Sequence, residues 1–413
     1  MTHDGGEGSS RRQSRRGFLA AVGAAATSAL AGCGGVFGGG GDDDPVTVAV
    51  DPSRDLGTPE WPVSRGDARN TNAFPRGAGV GSSLALDWAT TLGGNAAAVP
   101  PVVRAGRVAT SNGWHDAYGL RPDGTVAWTT EHPDGVTTVS PAFVGGVVAL
   151  VADGDLVGFD PSDGTAVWSA SLPGPDTFAW LTGADDTVVA ATDLGVAALD
   201  AADGTRRWYH RTGMGTQGPP ALADGVVYAA SEDTYVYAFD AETGGVRWRA
   251  KTDARVGPLA VAEGRVYAAA EDGVLHAFDA ADGRERWTAA LAGPASTLAV
   301  TGGQVFVGVS AAARRDHLRA VDADDGSLGW HADAFSGWAL AAGVDVLYAS
   351  VEAREDGGLT TLGALDPATG RVRSRLSTAG PRVYNGPAVV EGALYGAGLG
   401  EGGVLAARVT SGD

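Results

Sequence analysis

Between Pro219 and Thr252 apolar and polar positions alternate in four short runs: Ala221–Ala223, Val226–Ser231, Tyr235–Asp240 and Val246–Lys251. The breaks between them read Asp-Gly, Glu-Asp and Ala-Glu-Thr-Gly-Gly. Period-two alternation rich in Val, Tyr and Phe, punctuated by Asp-Gly, predicts strands joined by hairpins; no stripe of helical period appears. The same text returns along the chain. Tyr237–Ala250 reads YAFDAETGGVRWRA, His276–Ala289 reads HAFDAADGRERWTA, and Ala197–His210 reads AALDAADGTRRWYH. The tryptophans that follow the motif stand at Trp88, Trp128, Trp168, Trp208, Trp248, Trp287 and Trp330, with spacings of 40, 40, 40, 40, 39 and 43 residues.

A period of that length marks one supersecondary unit stacked many times, and four strands per unit make a propeller blade. Within the motif, Asp240 and Asp279 end a strand, where a carboxylate can accept turn N–H groups. Gly244 and Gly283 supply the positive φ of the return, and Trp248 and Trp287 are large enough to fill the wedge between blades. An eighth unit from Ala364 keeps the Asp and Gly but has Ser374 in place of Trp. Trp88 lies in a lone strand, LALDWATTL, and GPAVVEGALYGAGLGEGGVLAARV near the other end supplies three more. Pairing these removes both free sheet edges. The expectation is an all-β, eight-bladed β-propeller of four-stranded blades over residues 60–411, its last blade closed by the N- and C-terminal strands.

Charge narrows the partners. The 413 residues carry a formal net charge of −19, with 37 Asp, 12 Glu and one lysine, Lys251. Such a surface repels nucleic acid and anionic headgroups. The acid excess with Arg in place of Lys resembles proteins of extreme halophiles, the alternative being a GC-rich genome, which favours Arg, Asp, Ala and Gly codons.

The N-terminus reads as an export signal over residues 1–32. Arg15 and Arg16 precede a mild apolar run, Phe18–Ala31, too short to cross a bilayer, and the pair resembles a twin-arginine signal. Leu30-Ala31-Gly32-Cys33 matches a lipobox, and Cys33 is the only cysteine, so its thiol is the expected point of lipidation. Residues 33–59, with GGGGDDD, are expected to form a flexible lipidated linker. The expected location is therefore the outer face of the cytoplasmic membrane, held there by lipid.

The small-x-Asp-x-x-[Thr/Asp]-Gly-x-x-x-Trp pattern, at Gly158–Trp168, Ala198–Trp208, Ala238–Trp248, Ala277–Trp287 and Ala320–Trp330, resembles the tryptophan-docking motif of the PQQ-like propellers. The lead-in EWPVSRGDARNTNAFP, Glu60–Pro75, is also similar to theirs. The resemblance implies one of two activities. Quinoprotein dehydrogenases of the family oxidise alcohols or sugars with PQQ and Ca²⁺ in the channel. BamB-like lipoproteins bind partner proteins through inter-blade loops. Family alcohol dehydrogenases stack the quinone on a vicinal disulfide, which a chain with one cysteine cannot form, and they carry long insertions where these units are nearly minimal. No Glu/Asn/Asp set matches their Ca²⁺ ligands.

The residues add no other chemistry. The seven histidines are scattered without metal-ligand spacing, and the acid runs Asp153–Asp155 and Asp322–Ser327 fall where blades need turns. The connectors that lead into the innermost strands, with one hairpin of the first blade, are the candidate surface. They contribute Trp114, His115, Trp180, Met214, Gln217, Arg255, Trp338, Arg382, Tyr384 and Asn385, aromatic and polar groups that turns do not require. The reading is a monomeric, non-catalytic scaffold for unidentified protein partners, with no catalytic residue, metal or cofactor. Its alternatives are a PQQ- and Ca²⁺-dependent dehydrogenase and a solute-binding or sensor propeller.

Overall fold

The computed structural model describes residues 47–48 and 60–411, except 64, 82, 94–98, 114, 133–134, 137–140, 175–178, 311–316, 334, 354–358, 377–381, 391 and 401–402. Residues 47–48, 336–338, 352–353, 359–360, 382, 384–385, 400 and 403–405 are described by their backbone alone. Arg15, Arg16 and Cys33 lie outside the described residues.

Eight antiparallel sheets follow one another around a ring. We number the blades by their innermost strands. These are Val102–Arg104, Ala142–Val144, Ala179–Ala184, Ala221–Ala223, Val256–Ala262, Ala295–Thr301, Phe335–Ala342 and Arg382–Val390. Blade 4 continues through Val226–Ala230, Tyr235–Asp240 and Val246–Lys251, within one residue of the alternation read from sequence. Blade 8 is built from Arg382–Val390, Ala393–Gly400 and Gly403–Ser411, and the fourth strand is Leu84–Gly93 from the other end of the chain. Two linker residues, Thr47 and Val48, pair outside that strand with Thr90 and Ala89.

The repeated motif joins each blade to the next. Trp208 of blade 3 donates its Nε1–H to the Ala241 carbonyl of blade 4 at 2.8 Å, and its ring lies on Gly244. A Cβ at Gly244 would come within 2.6 Å of that ring. The same pairing joins Trp88 to Gly124, Trp128 to Gly164, Trp168 to Gly204, Trp248 to Gly283, Trp287 to Gly326 and Trp330 to Gly370. Inside their own blades, Trp128, Trp168, Trp208, Trp248 and Trp287 each face a small residue across the ladder, as Trp168 faces Gly158 and Trp248 faces Ala238. Asp240 accepts the Thr243 N–H at 2.9 Å and the Arg247 guanidinium at 2.7 Å, which holds its pKa down to about 2.

Ser374 has a reason in this geometry. The Trp it replaces would sit on the Gly of blade 8's outer turn. In blade 8 that turn does not exist, because Ser411 and Leu84 meet there as two chain segments. Ring closure removes the seat and the tryptophan with it.

Residues 60–80, the lead-in, form a strap across one end of the channel. Glu60 and Trp61 pair with Arg104 and Val103 of blade 1. The strap carbonyls of Pro62, Ala68, Arg69, Thr71, Asn72 and Ala78 then accept N–H groups of Phe143, Leu222, Val261, Val300, Ala342 and Gly392. Those partners belong to blades 2, 4, 5, 6, 7 and 8, and Thr182 of blade 3 reaches the Ala68 carbonyl at 3.5 Å. Each contact falls where the innermost strand turns into the second, so the strap closes that mouth. Ion pairs reinforce it at Arg69–Asp224, 2.8 Å, and Arg76–Asp345, 3.5 Å.

Candidate functional site

The connectors between blades emerge at the opposite, unstrapped mouth, together with the hairpins between second and third strands. The best-described part spans blades 4 and 5. Gln217, in the connector into blade 4, donates Nε2–H to Glu232 at 2.5 Å. Arg255, in the connector into blade 5, approaches the other Glu232 oxygen at 3.5 Å. Glu232 stands in the blade 4 hairpin, and its N–H binds the Gly215 carbonyl at 2.9 Å. Met214 is 47% exposed beside them, although its carbonyl is held by the Thr212 and Ser231 hydroxyls. The structure therefore brings Gln217 and Arg255 together through an acid that sequence reasoning passed over as a turn residue. Its only signal was the Ser-Glu-Asp that breaks the alternation between Ala230 and Tyr235.

The remaining candidates divide. His115 sits in the blade 1 hairpin, as the sequence suggested, with Nδ1 3.1 Å from the His132 carbonyl; Trp114 beside it lies outside the described residues. The expectation that Trp180, Trp338, Arg382, Tyr384 and Asn385 belong to connectors is corrected. All five stand within innermost strands of blades 3, 7 and 8. Those strands start earlier because the ladder to the second strand extends that far, as in Trp180 opposite Ala191 and Arg382 opposite Leu399. Trp180 is half-buried there. The side chains of Trp338, Arg382, Tyr384 and Asn385 lie outside the described set.

The channel walls test the fit of a quinone with Ca²⁺. Ca²⁺ needs six to eight oxygen ligands, with carboxylates prominent among them. The eight innermost strands contain no Asp, no Glu and no Cys. Among the described residues no group of three or more His, Cys, Asp or Glu could hold a metal ion. The acids singled out as possible Ca²⁺ loops cap turns or pair instead: Asp322 accepts the Asp324 N–H at 2.8 Å, and Asp153 meets His132 at 3.1 Å. The walls do not fit the cofactor.

Fold and docking motif together define a PQQ-like β-propeller. The family model described as outer membrane protein assembly factor BamB matches residues 81–190 and 192–412, and the chain belongs to that family. No curated protein matches the sequence. Among solved structures, BamB from Moraxella catarrhalis aligns at TM-score 0.59 and 21% identity, covering 77% of this chain and 98% of that one. The quinohemoprotein alcohol dehydrogenase from Comamonas testosteroni aligns at TM-score 0.66 and 15% identity, covering 85% and 80%. A computationally designed protein, Ika8, aligns at TM-score 0.63 and 17% identity, covering 80% and 100%. Identities this low speak for the shared fold alone.

Proposed function

We propose that this protein is an exported, lipid-anchored scaffold that binds protein partners through the unstrapped mouth of its ring. Cys33 carries the lipid and Arg15–Arg16 direct export by the twin-arginine route, which places the propeller on the outer face of the cytoplasmic membrane. The observation that carries the reading is the asymmetry of the two mouths. One is closed by the strap along all eight blades. The other gathers Met214, Gln217, Glu232 and Arg255, and of these Met and Arg are residue types that interfaces enrich. The family name, an assembly factor, supports a binding role, while its outer-membrane setting is not carried over.

The test is a photocross-linking residue placed at Met214 in living cells, with a second at Leu328, 48% exposed on an outer strand of blade 6. A discrete adduct at Met214 and none at Leu328 is the expected result. Equal labelling at both, or none at Met214, would sink the reading. The dehydrogenase alternative is met in parallel by titrating PQQ and Ca²⁺ in molar salt, where no thermal shift is expected.

A further inference from the structure

The channel holds a positive charge that no described residue balances. Arg65 lies on the strap between the contacts to blade 2 and to blade 4. Its carbonyl takes the Asn72 N–H at 2.9 Å, so the backbone there crosses towards blade 7. Its guanidinium comes within 3.4 Å of Thr297 Oγ1 on the innermost strand of blade 6, too far for a strong hydrogen bond. Thr297 stands three residues along its strand from Val300, where the strap binds, so the guanidinium lies about 10 Å up the channel.

Among the described residues no acid answers it. The nearest acid in sequence, Asp67, is spent on Thr71, accepting its N–H at 2.9 Å and its hydroxyl at 2.8 Å. Arg69 and Arg76 have carboxylate partners, but Arg65 makes no ion pair with any described residue. The walls above carry no acid. Burial alone draws the Arg65 pKa down to about 10, which leaves it protonated at neutral pH. A second strap side chain is also short of a partner. Asn70, fully buried, gives Nδ2–H to the Pro219 carbonyl at 2.8 Å, but its Oδ1 receives no hydrogen bond.

We infer that the channel holds an anion site, in which Arg65, reaching up from the strap, takes the carboxylate of a small molecule entering through the open mouth. A half-buried cation without a counter-charge carries a desolvation cost, and an anion offsets it. The planar guanidinium fork matches a carboxylate in two parallel hydrogen bonds, and the Thr297 hydroxyl can donate to the same group. The acidic exterior does not forbid this, because in molar salt its field is screened within about 3 Å. The inference concerns the strapped end and stands apart from whether the open mouth carries a protein.

Crystals of the full chain soaked in sodium bromide test it. The expected result is an anomalous bromide peak within hydrogen-bond reach of the Arg65 guanidinium, erased when sodium formate is added at equal concentration. Arg65→Gln should lose the peak. Arg65→Lys, which keeps the charge and spares the strap, should keep bromide but need about tenfold more formate, the equivalent of one hydrogen bond lost. Water alone at Arg65, or bromide that persists in Arg65→Gln, overturns the site. Bromide that formate does not displace overturns the carboxylate.

Discussion

At the scale of single residues, the docking glycines serve two purposes that can be separated. Gly244 has φ +70°, which an L-residue adopts reluctantly, and it is also the seat of the Trp208 ring. Gly225, in the turn between the first two strands of the same blade, has φ +73° with open space where a Cβ would stand. Alanine at Gly225 therefore meets only the backbone cost, about 1–2 kcal/mol. Alanine at Gly244 meets that cost and a ring that cannot retreat, because Trp208 is hydrogen-bonded to Ala241 and only 8% exposed. The expected loss there is about 2–5 kcal/mol, from adding overpacking to the strained backbone. Urea unfolding of the two variants checks it: equal losses would mean that the motif glycine serves the turn and not the tryptophan.

At the scale of elements, the closing blade depends on a pair of residues 321 positions apart. Arg408, almost fully buried in the Gly403–Ser411 strand, binds Asp87 of the Leu84–Gly93 strand at 2.5 Å and lies over the Tyr395 ring. Asp87→Ala leaves that guanidinium enclosed without its partner, and a loss on the order of 3 kcal/mol is expected. Arg247→Ala breaks a 2.7 Å pair with Asp240 on the exposed outer side of blade 4 and should leave stability nearly unchanged. Paired denaturation curves for the two variants decide whether the closure is held by this ion pair or by the strand ladder alone. The closing strands were legible in the sequence, since alternation and the Trp period are local signals and seven complete units leave one strand at the start and three at the other end. The strap was not. Trp61–Val80 has no period because its partners are backbone groups of seven different blades. Glu232 escaped for a related reason: it binds across two connectors, and only the ring brings those together.

At the scale of the whole molecule, a ring of repeats is held mainly by contacts between neighbours, so stability accumulates blade by blade. The strap is the exception, a single segment bonded to every blade in turn. It also buries Trp61, Val63, Phe74 and Val80, none more than 6% exposed. Each buried side chain of this kind contributes about 1.5–3 kcal/mol, so together they amount to more than about 6 kcal/mol before any hydrogen bond is counted. A chain beginning at residue 60 keeps all of this, whereas a chain beginning at residue 81 loses it and still retains the Leu84–Gly93 strand that closes the ring. In molar salt the first is expected to unfold in one transition near the full-length midpoint. The second is expected to unfold earlier by at least that energy, with a shallower or divided transition, because the one element common to all blades has gone. If the two midpoints coincide, the ring is closed by blade 8 alone and the strap is only a floor. If they separate as expected, the segment that seals the channel is also what makes eight blades unfold as one body.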